Sequence, residues 1–401
     1  MKKNVVELEK KYLIQTYARS PLILERGKGC WLWDDKGKKY LDFVSGLGVN
    51  VLGHAHPRIL KAIREQSAKT IHVSNLYYHP YQGLLAERLA KLTGMDRAFF
   101  CNSGTEAIEA ALKLAHAHGG HLRSGKYEVV AMENSFHGRT IGALSATGQE
   151  KYRKEFEPLV PGFHFCRFND VRHLESLVND NTCAILIEPI QGEGGIFAMS
   201  REFMEAAARL ARRVGALLIM DEIQSGLGRT GDYLACKAYG VKPDVVVLAK
   251  PLAGGLPLGA ILATDAVAGG LGAGMHGSTF GGGPLACRVA LEFLSVLEDE
   301  KILKNVRKTG EYLGCRLLDL KKKYSFIREV RGIGMMRAVE LAMPGKPFVQ
   351  MALDRGLIIN STHDTALRFL PPLIIEKKHV DQFYKIMDEI FAETEWDGSG
   401  K

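Results

Sequence analysis

Residues 245–255 read Val-Val-Val-Leu-Ala-Lys-Pro-Leu-Ala-Gly-Gly: an unbroken apolar run, then one lysine, then a turn. An alternating run would predict a strand with one wet face. A continuous run predicts a strand covered on both faces, as in a mostly parallel sheet between two helical layers. Working outward, runs of the same kind recur at 216–220, 184–187, 128–132 and 97–100. The stretches between them carry helical spacing. Over 105–118 the apolar positions Ile108, Ala111, Leu112 and Ala115 share a face, and Phe203, Ala206, Ala207, Leu210, Ala211 and Val214 form a second stripe that Gly215 closes. The alternation from about residue 95 to 285 predicts the α/β class, with a large domain over 51–290.

The flanks read differently. Residues 1–50 suggest an arm and a hairpin belonging to a smaller domain, with strands at 30–33 and 39–43 around Asp34-Asp35-Lys36-Gly37-Lys38. Helical patterns follow His56-Pro57 and run through Leu84, Leu85, Leu89 and Leu92 to Gly94. Residues 291–401 read as a smaller α/β domain, with strands at 326–330, 336–341, 357–359 and 367–370 and a last helix carrying Val380, Phe383, Met387, Ile390 and Phe391.

Composition narrows the classes. The chain has 401 residues, 46% hydrophobic and 24% charged, enough apolar material for a large core and too much for disorder. A net charge of +8 is spread over short clusters such as Lys321-Lys322-Lys323, without the patch that nucleic-acid binding requires. No apolar run reaches the roughly 20 residues of a membrane span. The seven cysteines are odd in number, scattered and free of any CxxC pair, which predicts reduced thiols in the cytoplasm and no metal site. The start, Met-Lys-Lys-Asn-Val-Val-Glu-Leu, lacks the apolar core of a signal peptide.

Four features fall at predicted carboxyl ends of strands, the edge where such sheets bind ligands. Asn102-Ser103-Gly104-Thr105-Glu106 sits between a strand and a helix. Unpaired N–H groups and a positive dipole end there suit a phosphate, with Gly104 allowing close approach and Ser103 and Thr105 adding hydroxyls; the plainer reading is an ordinary N-cap. Asp221 ends an apolar strand, where a carboxylate can hold the protonated ring nitrogen of a cofactor or simply meet solvent. Lys250 at a dry strand end is a candidate for a lowered pKa and imine chemistry; Asp221, one strand away, is the partner that lifts it above a surface lysine. Last, Phe136-His137-Gly138-Arg139, Glu188 to Gly195 with Glu193 among them, and Leu367-Arg368-Phe369 set charges in glycine-rich or apolar surroundings. Two such arginines could bind a dicarboxylic substrate or serve only in structural ion pairs.

Taken in order, "FFCNSGTEAIEAALKLA", "FHGRT", "EPIQGEGG", "LLIMDEIQSGLGRTG", "PDVVVLAKPLAGGLPLGA", "HGSTFGGGPLA", "VRGIGMM" and "LRFLPPL" resemble the class III aminotransferases from Tyr17 to about Ile390. The resemblance implies fold type I of the pyridoxal 5'-phosphate enzymes: a large domain with a mostly parallel central sheet plus a smaller α/β domain. It implies that Lys250 holds the cofactor as a Schiff base and moves the proton, that Asp221 pairs with the pyridine nitrogen, and that Gln224 lies near the phenolic oxygen. Phe136 would stack on the ring. Ser103, Gly104 and Thr105 would bind the phosphate, joined by Thr279 from the partner of a homodimer. Arg139, Arg368, Glu193 and Ser278 would form the substrate site, with Arg368 taking the α-carboxylate of 2-oxoglutarate and Glu193 masking it in the other half reaction. The reaction implied is ping-pong transfer of a terminal amino group, foremost from the acylated diamino acid N2-acetylornithine, to 2-oxoglutarate. Ornithine, succinyldiaminopimelate, 4-aminobutyrate and acylated lysine remain alternative donors, as does an isomerase or decarboxylase on the same scaffold. Two residues depart from the family pattern: Gly283 stands where asparagine is usual, and Pro251 follows Lys250 where glycine is usual. A proline there is expected to hold Lys250 to extended backbone angles.

Overall fold

A computed structural model describes residues 4–123 and 125–396. Its central sheet has seven strands, in spatial order Arg97–Cys101, Gly259–Ala263, Val245–Leu248, Leu217–Asp221, Thr182–Ile187, Glu128–Met132 and Phe163–Cys166. All run parallel except Gly259–Ala263, which is antiparallel to both neighbours. The mostly parallel α/β sheet expected from the apolar runs is present.

Its two faces are both dry, and the strands divide their side chains between them. Val130, Ile185, Ile187, Leu218, Met220, Val246 and Leu248 belong to one apolar cluster. Val129, Ala184, Leu186, Leu217, Ile219, Val245 and Val247 belong to another. The helix Gly104–Arg123 brings Ile108, Ala111, Leu112 and Ala115 to the second cluster, and Arg201–Val214 brings Phe203, Ala207, Leu210 and Ala211 to the first. Each fully buried aliphatic side chain stabilises the fold by roughly 1.5–3 kcal/mol, so a charge at Leu186 or Val246 would disrupt one layer outright. The ends of Arg201–Val214 are set locally: Ser200 Oγ accepts from Phe203 N at 3.1 Å, and Gly215 closes the helix at φ 67°.

Two strands of this sheet escaped the sequence reading. Phe163–Cys166 is a short edge strand, and Gly259–Ala263 is a short buried run opened by a glycine; a Cβ at Gly259 would lie 2.3 Å from the Ser103 carbonyl. The N-terminal unit is also larger than a hairpin. A helix Val5–Tyr12 precedes three antiparallel strands, Leu24–Lys28, Trp31–Asp34 and Lys39–Asp42, and Leu357–Ile358 joins the last in parallel. Leu24–Lys28 is mostly exposed and polar, so no apolar periodicity marks it. A separate antiparallel sheet orders Ile327–Ile333, Met336–Leu341, Ala366–Phe369 and Asn360–Thr362. Gly283 is the N-cap of the helix Pro284–Asp299 and supplies no side-chain cap. Among the described residues no helix is long and apolar enough to cross a membrane, and no cluster of His, Cys, Asp or Glu has the make-up of a metal site.

Candidate active site

Parallel strands put their carboxyl ends on one edge, so the loops after Cys101, Met132, Ile187, Asp221 and Leu248 converge. There they enclose a cavity of about 380 Å³ lined by Ser103, Gly104, Thr105, Phe136, Arg139, Glu193, Asp221, Gln224 and Lys250, within the size range of cofactor pockets. Most of the residues singled out from the sequence therefore meet at one place. Ser278 and Thr279 do not line it: Ser278 Oγ accepts from Asn102 Nδ2 at 3.2 Å, beside the cavity loop, and Thr279 is exposed. Arg368 lies behind the wall.

Lys250 follows Val245–Leu248, and the register sets Asp221 opposite Val247 in the adjacent strand. Burial pushes the Lys250 amine below the usual lysine range, against the pull of Glu193 and Asp221. Its backbone departs from expectation. Lys250 has φ 20°, not an extended value, because Leu252 N donates to Ala249 O at 2.8 Å and closes a turn with Lys250 and Pro251 at its centre. The tertiary demand for a reversal at the sheet edge overrides the local preference of a residue before proline, and some strain is retained at Lys250.

Asp221 is buried and fixed on both oxygens: His137 Nδ1 lies 2.7 Å from Oδ2, and Ile223 N donates to Oδ1 at 3.0 Å. Glu188, also buried, accepts from Phe136 N at 2.9 Å and Gly192 N at 3.0 Å, tying two loops together. Burial, with Asp221 nearby, raises its carboxyl well above the usual range, while His137 opposes the shift. His137 and Glu188 both stood inside quoted motifs without an assigned role. The signal for them is tertiary, since Asp221 is 84 residues from His137.

Gly104 is required by packing, for a Cβ there would come within 2.8 Å of Ile223 Cδ1. Ser103 Oγ accepts from Glu106 N at 3.3 Å while Glu106 turns back to Asn102 N at 2.7 Å, so this helix start carries the N-cap of the plainer reading. Arg139 is exposed, its guanidinium 4.1 Å from the Tyr152 ring centroid. Arg368 is the opposite. It is 1% exposed and lies 2.5 Å from Glu193 Oε1, 3.2 Å from Gly192 O and 3.4 Å from Gln224 Oε1. Burial raises the Glu193 carboxyl, but the Arg368 guanidinium beside it holds the net value below the usual range.

A buried amine of depressed pKa, a carboxylate pinned by a histidine, and a helix N-terminus share one cavity; this donor set fits an aromatic aldehyde phosphate with a basic ring nitrogen. The model of the family Aminotransferase class-III matches residues 13–391. The chain is a class III aminotransferase. Its cofactor is pyridoxal 5'-phosphate. Among its relatives, the acetylornithine aminotransferase of Methanocaldococcus jannaschii is 47% identical over 97% of this chain and 98% of its own length. That of Aquifex aeolicus is 48% identical over 94% and 99%. Among solved structures, the ornithine aminotransferase of Toxoplasma gondii superposes with TM-score 0.93 at 34% identity, covering 98% of this chain and 94% of its own. The acetylornithine aminotransferase of Elizabethkingia anophelis gives 0.87 at 32%, covering 97% and 98%. The fold class read from the sequence is that of this family.

Proposed function

We propose that this aminotransferase moves the terminal amino group of N2-acetylornithine to 2-oxoglutarate, giving N-acetylglutamate 5-semialdehyde and glutamate, a step of arginine biosynthesis. Two relatives of that name at 47% and 48% identity over nearly the whole chain support the donor. The observation that carries the reading is the unequal state of two arginines around Lys250. Arg139 is open at the cavity, and Arg368 is covered by Glu193. An acylated amino acid presents one carboxylate near the acyl group and a bare amine at the far end. Arg139 receives that carboxylate, Glu193 keeps Arg368 neutralised, and the amine reaches Lys250. 2-Oxoglutarate presents a second carboxylate next to its carbonyl, which displaces Glu193 and pairs with the Arg368 fork.

Pyridoxal phosphate, when bound, supplies an electron sink that stabilises negative charge at the substrate carbon. The protein's part is placement. Lys250 would hold the cofactor's aldehyde end and would move a proton at the substrate carbon, its lowered pKa leaving more of the amine free as a base. Asp221, aligned by His137, would keep the ring nitrogen protonated, Gln224 would lie towards the phenolic oxygen, Phe136 would cover the ring, and Ser103 with the backbone N–H groups of Gly104 and Thr105 would hold the phosphate end. We assign residues 51–290 as the cofactor-carrying domain and 291–401 with the N-terminal strands as the smaller one, supported by the pairing of Leu357 with Leu41. Ile71, Leu76, Tyr77, Tyr78 and Phe280 are exposed near Ser278 and Thr279, which supports a homodimer in which Thr279 completes the partner's phosphate site. Free cysteines throughout the chain accord with the cytoplasm.

Ornithine is the second reading, favoured by the TM-score of 0.93 to an ornithine aminotransferase. Each amino donor, added alone to the holoenzyme, should convert the bound cofactor to its amine form, with 2-oxoglutarate restoring it. Comparing rates over a donor panel decides the substrate: a higher kcat/KM for ornithine than for N2-acetylornithine overturns the first reading.

A further inference from the structure

The loop that carries Arg139 is held by three side chains, of which Thr140 and Glu109 have no part in the chemistry above and Thr105 enters it only at the phosphate end. Thr105 Oγ1 accepts from Arg139 N and from Thr140 N, each at 3.2 Å, and lies 2.9 Å from Thr140 Oγ1. Thr140 Oγ1 lies 2.5 Å from Glu109 Oε1, and the same carboxylate oxygen accepts from Ala143 N at 3.0 Å. Thr140 is the N-cap of the short helix Ile141–Ser145, yet its own side chain makes no cap. Glu109 does that from a different helix.

Counting protons fixes the direction of this chain. A hydroxyl has one hydrogen and two lone pairs. Both lone pairs of Thr105 Oγ1 face backbone N–H groups, so its hydrogen goes to Thr140 Oγ1. Thr140 in turn gives its hydrogen to Glu109, which as a carboxylate only accepts. Thr105 therefore has no hydrogen left for an anion. The packing is close as well: a Cβ at Gly138 would lie 2.2 Å from Thr105 Oγ1, and one at Gly142 would lie 2.4 Å from Glu109 Oε2. Thr105 and Glu109 stand at i and i+4 on one face of Gly104–Arg123. One helix thus presents its N-terminus to the cofactor's phosphate end and its flank to the arginine loop.

We propose that Thr105, Thr140 and Glu109 form a hydroxyl–carboxylate relay that positions the Arg139 loop for the substrate carboxylate. The Thr105 hydroxyl is then a positioning group, and the phosphate is left to backbone N–H groups and Ser103. Glu109 and Thr140 act through Arg139 and touch neither cofactor nor substrate. The inference rests on the reading of Arg139 as carboxylate receptor.

The test uses holoenzymes of the wild type, Thr140→Val, Thr140→Ser, Glu109→Gln and Arg139→Ala, with N2-acetylnorvaline as probe, which keeps the acyl group and carboxylate but lacks the reacting amine. Its dissociation constant is read by titration, and cofactor retention by loss of absorbance on dialysis. Thr140→Val and Glu109→Gln should each weaken the probe about tenfold, the scale of one lost hydrogen bond, and Thr140→Ser should stay within about twofold of wild type. Cofactor loss should change by less than about twofold, since the relay makes no phosphate bond. If Arg139→Ala weakens the probe while Thr140→Val leaves it unchanged, the relay is wrong and the arginine reading stands. If Thr140→Val releases the cofactor as strongly as it weakens the probe, the relay serves the phosphate and the proposal fails. If Arg139→Ala binds the probe normally, the receptor reading falls and the relay's purpose with it. Thr140→Val is nearly isosteric, so the test survives a Glu109→Gln variant that does not fold.

Discussion

Arg139 and Arg368 carry the same guanidinium, yet the fold holds them by opposite means. Arg139 sits on a loop, exposed, its charge over the Tyr152 ring and its backbone N–H held by Thr105. Arg368 sits in the strand Ala366–Phe369, paired in register with Ala338 on one side and Asn360 on the other, and is ion-paired to Glu193. A charge on a loop in water costs little and stays available, so it suits the donor's carboxylate, taken up in one half reaction. A charge sunk in a sheet needs a permanent counterion, and a counterion that can be displaced makes the site selective.

Four changes break or sharpen this contrast. The largest effect should come from the group both arginines serve. Lys250→Ala removes the amine used in both half reactions and should cut each by at least about 10⁴-fold in single-turnover kinetics. A loss confined to one half would separate the arginines from a common centre. Next, Arg368→Ala should lower kcat/KM for 2-oxoglutarate by roughly 10²-fold, about 3 kcal/mol for a charged hydrogen-bonded pair, and the amino-donor half by less than about tenfold. Arg139→Ala should instead lower the donor half by about 10²-fold. Being exposed, it should shift stability by no more than about 0.5 kcal/mol in thermal melts. Equal damage to both halves by Arg368→Ala would erase the distinction.

The smallest effect should be in stability against pH. The Glu193 carboxyl is raised by burial but more than offset by Arg368, so its folded pKa is depressed. A depressed carboxyl contributes stability that is complete above its unfolded pKa, about 4.3, and is lost as pH falls through the folded value. Thermal melts of the wild type should therefore fall more steeply than those of Glu193→Gln as pH drops below about 4.5. Parallel curves would mean that the Glu193–Arg368 pair adds nothing to the fold.

The apolar runs at 216–220 and 245–249 announced buried strands because burial on both faces leaves no position for a polar residue, and Gly215 marked a helix end by chemistry that acts within a few residues. The ordered motifs located Lys250, Asp221 and both arginines. Local chemistry failed where the cause lay far along the chain. Gly259–Ala263 is fixed by the two strands that flank it, and Leu24–Lys28 by hydrogen bonds to its one neighbour, Trp31–Asp34, with little help from its side chains. Lys250 took a φ that its proline neighbour disfavours because the sheet edge demanded a turn there.

The sequence by itself determined which residues are candidates for the chemistry and which runs must be dry, since both follow from residue type and short-range spacing. Only the tertiary structure decided how those residues are held. It brought His137 to Asp221, set Glu193 against Arg368 across 175 residues, and spent the Thr105 hydroxyl on a neighbouring loop. Hydrogen bonds between distant segments depend on where folding places them, and no pattern within one segment records that.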